Sequence, residues 1–161
     1  MSHTDVATDL TRPRARSWAR FAGIVVLYAV VGPLMGALGL NALLAVLAVA
    51  AEISRGNFDD IARLLVGGMV VGTIISAIIA YAFGMVSAAG VGLMVAIRDR
   101  RRGGISWRTA LIAALVFWAL MSLAGAVVVP PQGLAQWIGA LLAAHLLATA
   151  ACTWIARRIF R

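Results

Sequence analysis

Three polar side chains stand inside, or at the edge of, otherwise apolar stretches: His145, Asn41 and Glu52. Ionisable groups within a membrane are costly and mark function by default. A histidine there could relay protons or ligate a metal or a haem. A haem held by two histidines needs a second one, and the other histidine, His3, lies far outside the apolar segments. The simpler reading of His145 is a neutral ring hydrogen-bonded to Ser, Thr or a backbone carbonyl of another helix. A membrane carboxylate can couple a proton gradient to export, but Glu52 adjoins Ser54 and Arg55, which places it at the outer interface. Asn41 sits deeper and suits an interhelical hydrogen bond. The chain holds no Walker loop, no H-E-x-x-H, no paired intramembrane carboxylates and no Ser-His-Asp set at matching depth. Ser76, Ser87 and Ser122 fit helix packing. A single cysteine, Cys152, makes neither an internal disulfide nor a cysteine metal site. No catalytic residue, metal or cofactor is therefore expected.

The elements that carry these residues follow from composition. Of 161 residues, 63% are hydrophobic and 12% charged. Soluble domains sit near 45–50% apolar and about 25% charged, so the chain is read as an integral membrane protein. At about 20 apolar residues per crossing, it has room for four spans and no separate soluble domain. The expected fold is all-α, a four-helix transmembrane bundle. Residues 1–20 form a basic tail that turns helical near Ser17, and 21–161 form one membrane domain. The spans are placed at about 21–51, 68–97, 107–129 and 134–156.

Local punctuation refines these bounds. Gly32-Pro33 should kink the first helix or end it soon after, because proline lacks an N–H and clashes with the preceding turn. Glu52 to Asp60 reads as a hydrophilic loop, with Asn57 or Asp59 as a cap for the next helix. Ile61 to Leu65 looks like a short surface turn before Gly67-Gly68. The second membrane helix would follow, with a kink near Gly84 or Gly90. Gly103-Gly104 breaks it, Ser106 could cap the third span, and Pro130-Pro131-Gln132-Gly133 reads as a tight turn. The Ala48-Val49-Ala50 stretch resembles a signal-peptidase site, but the apolar run before it is about twice the usual 7–15 residues. We read that run as retained.

Every fourth residue of the second segment is small: Gly68, Gly72, Ser76, Ala80, Gly84, Ala88, Gly92 and Ala96. Such a ridge lets a neighbouring backbone approach closely in lipid. The last span repeats the pattern with Ala140, Ala144, Ala148, Cys152 and Ala156. Gly84, at the middle of the first ridge, is expected to meet a partner helix most closely. These ridges suggest action through helix–helix contact, as an accessory or assembly subunit or a homo-oligomer. A small transporter or channel lined by His145, Asn41 and Glu52 is the alternative.

The net charge is +8, and all 14 basic residues are arginine. Twelve of the 14 lie in the tail, in the loop from Arg98 to Arg108, or at the C-terminus. Four spans bring those regions to one side, which the positive-inside rule makes cytoplasmic, with both termini there. Arg98, Arg100, Arg101, Arg102, Arg157 and Arg158 then orient the protein and meet anionic lipid head groups. The expected partners are the bilayer and another membrane protein or a second copy, not nucleic acid. Trp18, Trp107 and Trp154 would mark the inner interface and Trp137 the outer one.

The stretch Ala80-Tyr81-Ala82-Phe83-Gly84-Met85-Val86-Ser87-Ala88, followed by Gly92, resembles an AYxxGxxPAxxxG signature, with Ser87 where that pattern has proline. Gly32-Pro33-Leu34-Met35-Gly36 and the close from Gly139-Ala140 to Arg157-Arg158 are similar to the same group. These are small four-span inner-membrane proteins of Gram-negative bacteria. The resemblance implies a fold and a location and brings no activity with it.

Overall fold

In a computed structural model the described residues are 18–56 and 61–160, and all the regular structure among them is helical. Helix α1 is Trp18–Ser54, α2 Ile61–Ile79, α3 Met85–Arg102, α4 Trp107–Val128 and α5 Pro131–Ile159. A π-helical turn, Ala80–Gly84, joins α2 to α3. Four helices are long and apolar enough to cross a membrane. The reason is backbone chemistry: with no water in the hydrocarbon, a helix satisfies every N–H and C=O within its own segment.

Helix α1 is the axis, packing against α5, α3 and α2, while α4 closes the bundle between α3 and α5. The dense core lies at one end and includes Ile24, Tyr28, Val95, Ala110, Cys152 and Ala156. At that end the Arg20 guanidinium makes a bidentate pair with Asp99, at 2.8 and 3.1 Å. The Phe160 ring lies 5.7 Å beneath Arg20. The first residues of α1 and the last of α5 thus meet at the same end of the bundle.

Two expectations about helix bounds change, and the alternative left open at Gly32-Pro33 resolves: helix α1 does not end there but runs on to Ser54 with Pro33 buried inside it, covering the span placed at 21–51. Neighbouring helices in a membrane can re-satisfy backbone groups that a proline frees. Pro33 withholds a donor from the Ala29 carbonyl; at the next residue the Tyr81 hydroxyl donates to the Val30 carbonyl at 2.6 Å and ties the second rod to this turn. Nor does Gly67-Gly68 interrupt the second rod. A glycine in a helix costs only about 1 kcal/mol, whereas each unsatisfied backbone group in lipid costs several. The irregularity falls on the π turn, which includes Gly84, one of the two places where a kink was expected. Finally, Pro131, Gln132 and Gly133 are the first turn of α5, not a loop, because proline suits the first helical position.

The remaining bounds agree closely. Trp107–Val128 matches the third span, and Ser106 takes the N-cap position, though its hydroxyl makes no capping bond. Gly103 and Gly104 turn the chain with φ of 72° and 95°, values that favour glycine. Most of the proposed tail, and the proposed cap at Asn57 or Asp59, lie outside the described residues. Trp18 to Arg20 already belong to α1.

The rods differ in length. Helix α4 has 22 residues, about 33 Å, and matches a hydrocarbon core of about 30 Å. Helix α1, with 37 residues, is about 55 Å long and continues past its contact with α5 at Gly39 and Leu147 to Ser54, with α2 packed beside it.

Candidate functional site

Between the second rod and the α4–α5 pair lies a cavity of about 500 Å³. Small side chains make the space. Gly32, Gly36 and Ala37 of α1, Ala80, Gly84 and Ala88 of the second rod, and Ala140, Ala144 and Ala148 of α5 all face it. The π turn packs on α1 and on its own flanking helices, and α2 packs on α1, but neither packs on α4 or α5. The second rod thus meets α4 through α3 and parts from the α4–α5 pair further along, while α1 stays packed on α5.

His145 stands in the cavity wall. Its Nδ1 lies 2.8 Å from the Leu141 carbonyl of its own helix. A carbonyl only accepts, so Nδ1 carries the hydrogen and Nε2 presents a lone pair. Nε2 and the Ser122 hydroxyl are buried side-chain polar atoms that have no hydrogen-bond partner among the described residues. The expected bond to a carbonyl is present, but to one within α5 and not on another helix.

The three polar candidates do not converge. Asn41 Nδ2 donates to the Ala37 carbonyl at 3.0 Å, and its Oδ1 accepts a long bond from Ser76 at 3.5 Å. That bond joins α1 to α2 at the rim of the cavity. Glu52 lies eleven residues further along α1, about 16 Å away, where Oε1 accepts from Arg55 at 2.7 Å.

The ridge from Gly68 to Ala96 divides into three parts. Ala88, Gly92 and Ala96 pack tightly on α1. A Cβ on Gly92 would stand 2.7 Å from the Tyr28 Cβ, and one on Gly32 would stand 3.1 Å from the Ala88 Cβ. Ala96 is buried in the core. Ala80 and Gly84 face the cavity, and a Cβ on Gly84 would meet nothing within 4 Å. The expectation that a side chain at Gly84 would push a neighbouring helix away is thus not met within this chain: the second rod has already parted from α4 and α5 at its level. Further out, a Cβ on Gly72 would lie 3.1 Å from Asn41 Oδ1, while one on Gly68 would meet nothing. On α5, Cys152 and Ala156 are fully buried. A Cβ on Gly36 would stand 3.3 Å from the Ala144 carbonyl, so that ridge serves the contact with α1.

The arginines gather at the dense end. Arg100 lies over the Trp18 ring at 3.8 Å and Arg158 over Trp154 at 4.7 Å, both cation–π distances. Arg101, Arg102 and Arg157 are exposed and Arg98 is half-buried. Trp137 packs at the opposite end, over Gly125 and beside the cavity.

Sequence reasoning missed two pairs. Asp99 looks like one more member of a charged loop, but it is buried; besides Arg20 it accepts from the Gly104 N–H at 3.1 Å. Its position as the lone acid among Arg98, Arg100, Arg101 and Arg102 was the available signal. The Tyr28 and Thr153 hydroxyls are bonded at 2.7 Å across 125 residues, and no local pattern pairs them. Comparisons with protein-family models, curated proteins and solved structures found no match to this chain.

Proposed function

We propose that this chain is a non-enzymatic, multi-pass protein of a bacterial inner membrane that acts by contact with another membrane helix. The partner is a second copy or a different subunit for which this chain is an accessory. One observation carries the reading: α2, apolar and 19 residues long, packs on α1, and none of its described side chains is buried. Leu43, Leu44, Val46 and Leu47 on α1, and Val66, Val70, Val71 and Ile74 on α2, are exposed. A hydrophobic stretch longer than the bilayer must tilt, thicken the bilayer or associate. Gly67 and Gly68, open to approach, offer a place for a second backbone.

The arginine distribution supports placing the dense end and both termini in the cytoplasm, and the resemblance to small four-span inner-membrane proteins agrees. A transporter path through His145, Asn41 and Glu52 loses support, because the three side chains meet different neighbours.

Photo-crosslinking from a benzophenone amino acid at Val66, in cells, tests the proposal. Adducts with a second copy would indicate a homo-oligomer, and adducts with one other membrane protein a subunit. Adducts with lipid alone would overturn the reading.

A further inference from the structure

We propose that the cavity is a blind slot that holds one acyl chain of a bilayer phospholipid, drawn from the leaflet opposite the arginine end. Its wall runs from Tyr28 to Leu40 on α1 and from Thr149 to Trp137 on α5, each about 18 Å of helix. Half of a hydrocarbon core of about 30 Å is about 15 Å, so the slot has the length of one leaflet's chains. Spread over that length, about 500 Å³ gives a mean cross-section of about 28 Å², room for a single hydrocarbon chain.

The slot is closed at its inner end. Tyr28, Ser87, Val91 and Thr149 line that end and are buried, and below them α3 packs on both α1 and α4. Tyr28 and Val91 belong to the dense core. The outer end is open: Leu40, Ser76 and Val129 are half-buried there and Trp137 is exposed. Because α2 and the π turn do not pack on α4 or α5, the slot also opens sideways to lipid. A chain can enter from that side and set its methyl end on the floor, with its head group outside at the level of Trp137.

The polar groups of the wall favour a plain hydrocarbon. The Tyr28 hydroxyl is paired with Thr153, Ser76 donates to Asn41, and Ser87 donates to the Gly84 carbonyl at 2.9 Å. His145 Nδ1 is held by Leu141, and Nε2 is buried within the wall. Thr149 and Trp137 remain, one at the floor and one at the rim, about 18 Å apart along α5. A stable water needs two to four polar partners, and these side chains do not cluster to supply them. Among the described residues no Asp, Glu, Lys or Arg lines the slot, so a charged head group stays outside. Left empty, an apolar wall forfeits its dispersion contacts. A hydrocarbon chain restores them.

A closed floor makes the slot a ruler, and that is what the test reads. The full chain is reconstituted in phosphatidylglycerol–phosphatidylethanolamine liposomes doped with phosphatidylcholine probes. Each probe carries a photoactivatable diazirine at the methyl end of one chain, in a series from octanoyl to eicosanoyl. Adducts mapped by mass spectrometry should fall on 87–91 and 149–153 and show one optimum of chain length. A chain too short to reach the floor should label those peptides roughly fivefold less, the effect of leaving about 40 Å³ empty. Gly84 faces the slot about 10 Å above Val91, and a side chain there meets nothing within 4 Å. Gly84→Phe should therefore raise the floor, abolish adducts on 87–91 and move the optimum to shorter chains, while Gly84→Ala keeps the parent pattern. Adducts confined to other segments, or floor adducts that do not depend on chain length, would overturn the proposal, and so would an unchanged optimum in Gly84→Phe. The length series in the unmodified protein decides by itself if Gly84→Phe does not fold. None of these readouts depends on what α2 touches, so failure here and failure of the contact reading are distinguishable.

Discussion

Glycines of one ridge differ most sharply in what a side chain would meet. At Gly92 a new Cβ would stand 2.7 Å from Tyr28 Cβ and 3.3 Å from the Val25 Cα, and a backbone cannot rotate aside. Gly92→Leu is expected to destabilise the bundle by about 1–3 kcal/mol, the usual cost of overpacking. Gly84→Ala should lie within about 0.5 kcal/mol of the parent, as substitutions away from packed features do. Thermal unfolding in mild detergent separates the two; equal losses would contradict the packing described. The Arg20–Asp99 pair belongs to the same scale. Removing one partner of a buried pair costs about 3–5 kcal/mol. The Arg20 side chain keeps 20% exposure and can turn toward water, so Asp99→Ala is expected to cost about 2–3 kcal/mol. Arg20→Lys should also destabilise, since an ammonium cannot reproduce the two-pronged contact.

Among the elements, the π turn controls how the second rod is used. It admits one extra residue, so the faces of α2 and α3 are offset relative to a continuous α-helix. Deleting Ala82 would remove that extra residue, restore α-helical spacing and leave the flanking faces in place, so Gly72 and Ser76 should still meet Asn41. A cysteine pair at Asn41 and Gly72 should crosslink as readily in the deletion as in the parent; lost crosslinking would show that the turn does more than house one residue. The Tyr81 bond to the Val30 carbonyl ties this turn to the proline region of α1. Tyr81→Phe is expected to cost about 0.6–1 kcal/mol, the range for interhelical hydrogen bonds in membranes.

The molecule as a whole pairs a dense, arginine-decorated end with an open, apolar end. Phe160 against Arg20 brings the two chain ends to the dense end. The net charge of +8 includes the arginines gathered there. If the positive-inside rule sets the orientation, a C-terminal GFP fusion should fluoresce and a C-terminal alkaline phosphatase fusion should be inactive. An active phosphatase with a dark GFP would invert the molecule and place the arginine-decorated end outside.

Composition and period alone determined that the chain is helical with four segments long and apolar enough to cross a membrane. Backbone groups in lipid leave few alternatives, and Leu, Val, Ile and Ala supply the apolar length. Trp107 as the start of the third span and the break at Gly103-Gly104 were legible for the same local reasons. Gly84 marked the place of the π turn, while the start of α5 at Pro131 and the choice between a kink and an end at Pro33 were decided by helix-end chemistry and by neighbours, which outweigh single-residue propensity. The site was harder to read. His145 was visible as an isolated ring in an apolar run, but its cavity was not. A small-residue ridge reads the same whether it meets a backbone, as at Gly92, or open space, as at Gly84. Which occurs depends on where the second rod parts from α4 and α5, and that is set by pairings such as Arg20–Asp99 and Tyr28–Thr153. Those residues are 79 and 125 positions apart, far beyond the reach of any helical period.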